Sequence, residues 1–170
     1  RRYSSAASDV YKRQAPNGNL TWVRQIAGEF VDQPGGIEVD ADGNVYCAGY
    51  FERKTFFQGV SGLDSMAAYS DRDIFILKYS SQGNFIWKKR MGGLEMESLW
   101  GFKLDRLGNL YCWGEFNSSF PLTTVNWGVN LQSVGSSDNY LVKLNSQGQV
   151  LWIEQHSEPS TFRDICLLYT

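Results

Sequence analysis

Apolar and polar residues alternate along this chain in short runs divided by turn residues, and the succession occurs twice at a constant spacing. Asp40-Ala41-Asp42-Gly43-Asn44-Val45-Tyr46-Cys47-Ala48-Gly49 is answered by Asp105-Arg106-Leu107-Gly108-Asn109-Leu110-Tyr111-Cys112-Trp113-Gly114. At the same spacing Asp73 maps onto Asp138, Lys78 onto Lys143, Ser81-Gln82-Gly83 onto Ser146-Gln147-Gly148, and Trp22 onto Trp87 and Trp152. Ile37-Glu38-Val39-Asp40 alternates with period two, as a half-buried strand does. Asp40 to Asn44 suits a type I turn closed by a left-handed Gly, and Val45 to Phe51 is the return strand. Ile74-Phe75-Ile76-Leu77 is continuously apolar, which predicts a strand buried on both faces. A second hairpin, tipped by Gly83, leads into Phe85-Ile86-Trp87. No stretch has helical periodicity.

Each unit therefore holds four short antiparallel strands, and a unit with strands buried on both faces needs like neighbours. Radial repetition of four-stranded sheets satisfies that need, and it is the plan of a β-propeller. The predicted fold is all-β, a fragment of a β-propeller. Residues 15–30 would be the last, outer strand of a preceding blade, 36–91 and 101–155 two complete blades, and 156–162 the start of another. The motif D-x-x-G-N-x-Y-x-x-G, then F-F or F-P, then D-x-F-x-x-K-Y, then S-x-G-N-x-x-W, resembles the bacterial SBBP (beta-propeller) repeat. Asp40 to Gly49, Phe56-Phe57, Asp73 to Tyr79 and Ser81 to Trp87 carry one copy. Asp105 to Gly114, Phe120-Pro121, Asp138 to Leu144 and Ser146 to Trp152 carry the other, departing at Asn139 and Gln149. The resemblance implies a repeat protein of bacteria that is secreted or held at the cell surface.

Both ends look foreign to the repeat. Residues 1–14 (RRYSSAASDVYKRQ) resemble a translated sequencing-adapter read-through, and 163–170 resemble its counterpart, so both are set apart from the fold as a metagenomic artefact. The head carries Arg1, Arg2, Lys12 and Arg13 against Asp9, a net of +3, so the −2 of the 170-residue chain becomes −5 for the rest. An acidic body argues against a nucleic-acid partner. At 42% hydrophobic and 20% charged residues the chain is globular, and no apolar run approaches the roughly 18 residues of a membrane span. Of three cysteines, Cys166 lies in the suspect tail, while Cys47 and Cys112 hold equivalent repeat positions and should stay reduced and apart.

Little of the residue chemistry points to catalysis. Asp40-Ala41-Asp42-Gly43-Asn44 resembles the start of a calcium loop, but such a site needs about six to eight oxygens. The twelfth position is Phe51, and the second copy has Leu107 in place of Asp42, so turn chemistry is the expected role. His156 is the only histidine, and no G-x-S-x-G elbow accompanies it. Lys88-Lys89-Arg90 is not repeated, and on an outer strand it would blunt an exposed edge. Trp22, Trp87 and Trp152 should pack between blades. Trp113 should fill core, and Trp127, present in one copy only, is a candidate contact. No catalytic, metal or cofactor-binding residue is assigned, and no cofactor is implied. The connections 52–72 and 117–137 are equal in length but differ in chemistry, the first charged and the second polar-aromatic. They are the expected recognition loops for an unknown protein or glycan on a non-catalytic secreted or cell-surface binding module, whose other partners are its own neighbouring blades. The alternative is a quinoprotein-like propeller enzyme with its active site in blades absent from this stretch, since G-N-x-x-W is faintly similar to that class's tryptophan docking element.

Overall fold

In a computed structural model, residues 8–30, 32–93, 95–117, 131 and 133–157 are described. They form β1 (Ser8–Gln14), β2 (Leu20–Gly28), β3 (Asp32–Val39), β4 (Val45–Gln58), β5 (Leu63–Tyr79), β6 (Phe85–Met91), β7 (Glu97–Leu104), β8 (Leu110–Phe116), β9 (Asp138–Leu144) and β10 (Val150–His156), with no helix among the described residues. All named strand pairs are antiparallel. One sheet has the order β7-β8-β9-β10. The other is built on β3-β4-β5-β6, the same four-strand meander one repeat earlier, and the β1–β2 hairpin is joined to it through β2 and β4. The segment set apart from the repeat thus contributes β1, in the place that lies one repeat before Asp73–Tyr79.

The turns explain why the motif has its composition. Asp40, Ser80, Asp105 and Asn145 each open a hairpin in which the backbone amide of the first residue donates to the carbonyl four residues on. In each, the Gly three residues on donates back to the first residue's carbonyl. Ala15–Asn19 closes the same way. The glycines take φ between 76° and 84°, a region that side chains rarely adopt. Asp40 Oδ1 accepts the amides of Asp42 and Asn44 at 3.1 and 2.8 Å, and Asp105 Oδ1 those of Leu107 and Asn109 at 2.9 and 2.8 Å. A short acceptor side chain at the first position therefore completes the turn.

Period-two alternation sends successive residues of β4 and β5 to opposite faces, and both faces are buried. Tyr46, Ala48, Ile74 and Ile76 meet Leu99, Phe102, Cys112, Val142 and Leu144 of the second sheet in one core. Val45, Cys47, Phe51, Phe75, Leu77 and Tyr79 meet Tyr11, Trp22 and Ile26 of the β1–β2 hairpin in another. The two sheets pack face to face, as the repeat predicted. Cys47 and Cys112 fall in different cores, both are free, and burial pushes both thiols well above their ordinary range.

Two expectations need correction. The first strand of each unit starts four residues earlier than 36 and 101, at Asp32 and Glu97. Pro34-Gly35-Gly36 reads as a strand breaker, but it sits at a bulge, where the register with β4 slips between Pro34 and Gly36. The same slip falls between Leu99 and Gly101. The connection 52–72 is also not a loop. β4 and β5 continue through it as a hairpin arm, with Lys54 to Gln58 pairing Ala67 to Leu63, and β2 adds to the arm through Ile26 opposite Phe57. Thr55, Phe57 and Met66 are buried there, so the segment is part of the core. Its counterpart 117–137 lies largely outside the described residues, as does Trp127.

Candidate functional site

The two units meet at their turn ends around a cleft of about 440 Å³, lined by Asp40, Asp42, Lys78, Trp87, Arg106 and Ser146 among others. The motif residues converge here because each turn brings its Asp beside the third strand's Lys. Asp40 Oδ2 accepts from Asn44 Nδ2 at 3.0 Å and from the Tyr46 hydroxyl at 3.4 Å, and it lies 3.4 Å from Lys78 Nζ. Asp105 repeats this with Asn109, Tyr111 and, at 3.7 Å, Lys143. Burial alone would raise the Asp40 carboxyl, but the hydrogen bonds from Asn44 and the charge of Lys78 together hold it below the ordinary carboxylate range. An Asp so fully engaged by protein donors is turn chemistry, as expected, and among the described residues no three of His, Cys, Asp and Glu gather as metal ligands.

The tryptophans join one unit to the next. Trp22 Nε1 donates to the Ser81 carbonyl at 3.1 Å, and Trp87 Nε1 donates to the Ser146 carbonyl at 3.1 Å. Each ring lies over the turn glycine: a Cβ on Gly83 would come within 2.8 Å of Trp22, and one on Gly148 within 3.4 Å of Trp87. Lys78 Nζ reinforces the second latch by donating to Ser146 O at 3.2 Å. The expected inter-blade role of Trp22 and Trp87 is therefore met. Trp113 is buried against Gly101, again as expected, with its indole nitrogen lacking an acceptor.

At the opposite end of the sheets lies a set of buried acids that sequence reasoning missed in part. Asp32, Asp73, Glu97 and Asp138 are all at most 3% exposed. Asp32 lies opposite Phe51, which lies opposite Asp73, and Glu97, Phe116 and Asp138 repeat that row. Asp73 Oδ2 accepts the Tyr69 amide at 3.0 Å and lies 3.3 Å from Arg90 Nε. Asp138 Oδ2 takes the equivalent Val134 amide at 2.9 Å, with Gln155 in place of the arginine. Neither oxygen of Glu97 has a hydrogen bond of normal geometry. Burial pushes its carboxyl up to about 8, partly offset by the Gly93 amide and increased by the charges of Asp73 and Glu95. Burial likewise raises Asp32 and Asp73 to about 6. The signal was legible, since Asp32 and Glu97 stand at the repeat spacing, but the Pro-Gly-Gly break hid the strand that carries the first of them.

The basic run lies on β6, an edge of its sheet, but it also anchors the arm. Lys88 Nζ pairs with Asp64 Oδ2 at 2.8 Å and donates to Ser65 O, and an Arg90 guanidinium nitrogen donates to Ala67 O at 2.8 Å. A shallow groove of about 350 Å³ runs between Met66-Ala67 and Lys88-Lys89-Arg90. His156 stands at the end of β10, 3.7 Å from Glu154.

Face-to-face four-stranded antiparallel meanders, latched tryptophan over turn, are consistent with stacked blades of a β-propeller. A family model for the beta-propeller repeat, SBBP, matches residues 21–50. No curated protein matches the chain. No helix among the described residues is long and apolar enough to cross a membrane.

Proposed function

We propose that this chain is a non-catalytic propeller scaffold of a secreted or cell-surface protein, and that it binds a protein or glycan through the arm and the connection 117–137. One contrast supports this reading. The repeated polar residues, Asp40 and Asp105 above all, are engaged in holding turns. The arm instead presents apolar side chains that the frame does not use: Val60 is 86% exposed, Leu63 76% and Tyr69 49%. Tyr69 lies beneath the Arg90 guanidinium, beside the groove of the basic run. Position by position, Leu63 becomes Gly128 in the second copy and the basic run becomes Ile153-Glu154-Gln155. Chemistry that changes on a frame that does not is the signature of recognition.

The test is a glycan array and a surface-protein screen with the intact chain, followed by a triple variant, Leu63→Ser, Tyr69→Ala and Lys89→Glu. Leu63 and Tyr69 are exposed, where such changes usually leave stability within about 0.5 kcal/mol each, and Lys89 is half-buried. The variant should lose at least about ten-fold in affinity for the ligand found while melting within a few degrees of the parent. Turnover of the ligand, or binding indifferent to the triple variant, would refute the proposal.

A further inference from the structure

The arm built by β4 and β5 ends its sheet on one side. β6 pairs with β5 only from Ile74 to Tyr79, so residues 63–67 have β4 on one side and no strand on the other among the described residues. Successive strand residues turn their backbone groups to alternate sides. Ser65 and Ala67 turn theirs away from β4, since their carbonyls accept from Lys88 Nζ at 3.1 Å and an Arg90 guanidinium nitrogen at 2.8 Å. Leu63 stands at the same alternation. Charged side chains thus cap the edge where a strand would lie. Asp64 joins the cap: one oxygen accepts the Ser65 amide at 2.7 Å, and the other pairs with Lys88 at 2.8 Å.

A charged cap keeps an edge from pairing indiscriminately, and its sign selects what can replace it. A groove of about 350 Å³ separates Met66-Ala67 from three consecutive cations, Lys88-Lys89-Arg90. Burial lowers the Lys89 ammonium, and no carboxylate offsets the shift. Along the edge, Leu63 and Ala67 are exposed on one face, and Asp64 and Met66 alternate to the other. None of this recurs one repeat on, where Val129 stands for Asp64 and Ile153-Glu154-Gln155 for the cations.

We propose, on the reading that the arm is a recognition surface, that an acidic, extended peptide segment of a partner protein adds to residues 63–67 as a further antiparallel strand. Its backbone amides donate to the carbonyls of Ser65 and Ala67, and its carbonyls accept the outward amides of the edge. Lys88 and Arg90, released from those carbonyls, meet its carboxylates. Its apolar side chains lie beside Leu63 and Ala67, and its acidic ones on the Asp64 face, toward Lys88. Charge complementarity selects an acidic segment, and the row of outward carbonyls selects one that brings backbone donors at strand spacing, which a glycan does not.

Fluorescence anisotropy of the full chain with a short capped peptide alternating glutamate and valine tests this. The peptide should bind, and more weakly as salt rises. N-methylation of its valines, whose amides face β5, should weaken binding about ten-fold or more. N-methylation of its glutamates, whose amides face away, should change it little. Ala67→Pro deletes an outward donor and leaves the ladder with β4 intact, and it should also weaken binding about ten-fold. Lys88→Gln should weaken it several-fold. The amides of Leu63 and Ala67 should exchange quickly in the chain alone and slowly once the peptide is bound. Amides already protected before peptide is added overturn the proposal, because the chain then covers its own edge. So does a peptide that fails to bind, or one that binds no better than its lysine–valine counterpart. Binding indifferent to both methylations and to Ala67→Pro overturns it as well. A ligand lost with the Leu63, Tyr69 and Lys89 triple variant, in a chain that ignores the peptide, would mean that the arm recognises its partner but not through its edge. If Ala67→Pro fails to fold, the two methylated peptides decide the matter on the parent chain.

Discussion

Gly49→Ala and Gly114→Ala should each cost more than about 4 kcal/mol and leave the chain largely unfolded at ordinary temperature, a size of effect reserved for a few mechanisms. The reason is contact and not backbone freedom. Gly49 lies opposite Pro34 and Gly114 opposite Leu99, at the bulges of β3 and β7. There the bulged strand swings its carbonyl over the neighbour. A Cβ on Gly49 would stand 2.2 Å from the Gln33 carbonyl oxygen, and one on Gly114 1.9 Å from that of Ser98. Neither carbonyl can retreat, because β3 and β7 pack against each other where the two sheets meet. The aromatic neighbours close the other side, with Phe75 at 2.9 Å from the first and the Tyr140 hydroxyl at 2.7 Å from the second. Gly18→Ala is the control: its site is open, and only the positive φ of 84° opposes it, so the loss should be about 1 kcal/mol. Urea melts of the three variants give the comparison. A melt for Gly49→Ala close to that of Gly18→Ala would mean that the bulge does not exist.

Glu97→Gln should stabilise the protein at pH 8.5 by on the order of a few kcal/mol, and change little at pH 4.5. In the unfolded chain this carboxyl ionises at its ordinary value of 4.5, whereas in the fold it holds its proton up to about 8. Between those values the native state binds more protons than the unfolded one, so stability falls as pH rises. Below 4.5 both states are protonated and nothing is lost, and above about 8 the whole loss has accrued. Asp32 and Asp73, raised from 3.8 to about 6, add to the lower part of the same window. Glutamine keeps the shape and cannot ionise, so the variant's stability should stay flatter between pH 6 and 8.5. Equal pH dependence in the two proteins would show that Glu97 is solvated, and that the row of acids is not buried between the sheets.

What could be read in the amino-acid order follows from which physical signals are local. The hairpin turns at Gly43, Gly83, Gly108 and Gly148 were legible because a first-position acceptor and a left-handed Gly act within five residues. The double burial of Ile74 to Leu77 was legible as an unbroken apolar run, and the tryptophan spacing told that units stack. The bulges were not, because Pro34-Gly35-Gly36 has a strand-breaking composition and its meaning depends on a partner strand. Nor was the arm: Glu52-Arg53-Lys54 reads as solvated loop. In the fold, the Arg53 guanidinium instead lies over the Phe30 ring and Arg72 pairs with Glu52 while covering Tyr50. The buried carboxylates show the same limit, since an acid at a strand start reads as surface until the neighbouring sheet covers it.

The stacking of repeated sheets through tryptophan latches is tested most directly by NMR of the protein with ¹⁵N-labelled tryptophan. The indole N–H groups of Trp22 and Trp87 should show nuclear Overhauser contacts to the α-protons of Gly83 and Gly148, and should exchange with solvent far more slowly than the indole of Trp100. Indoles that all exchange alike, with no contact from Trp22 to Gly83 or from Trp87 to Gly148, would contradict the stacked arrangement.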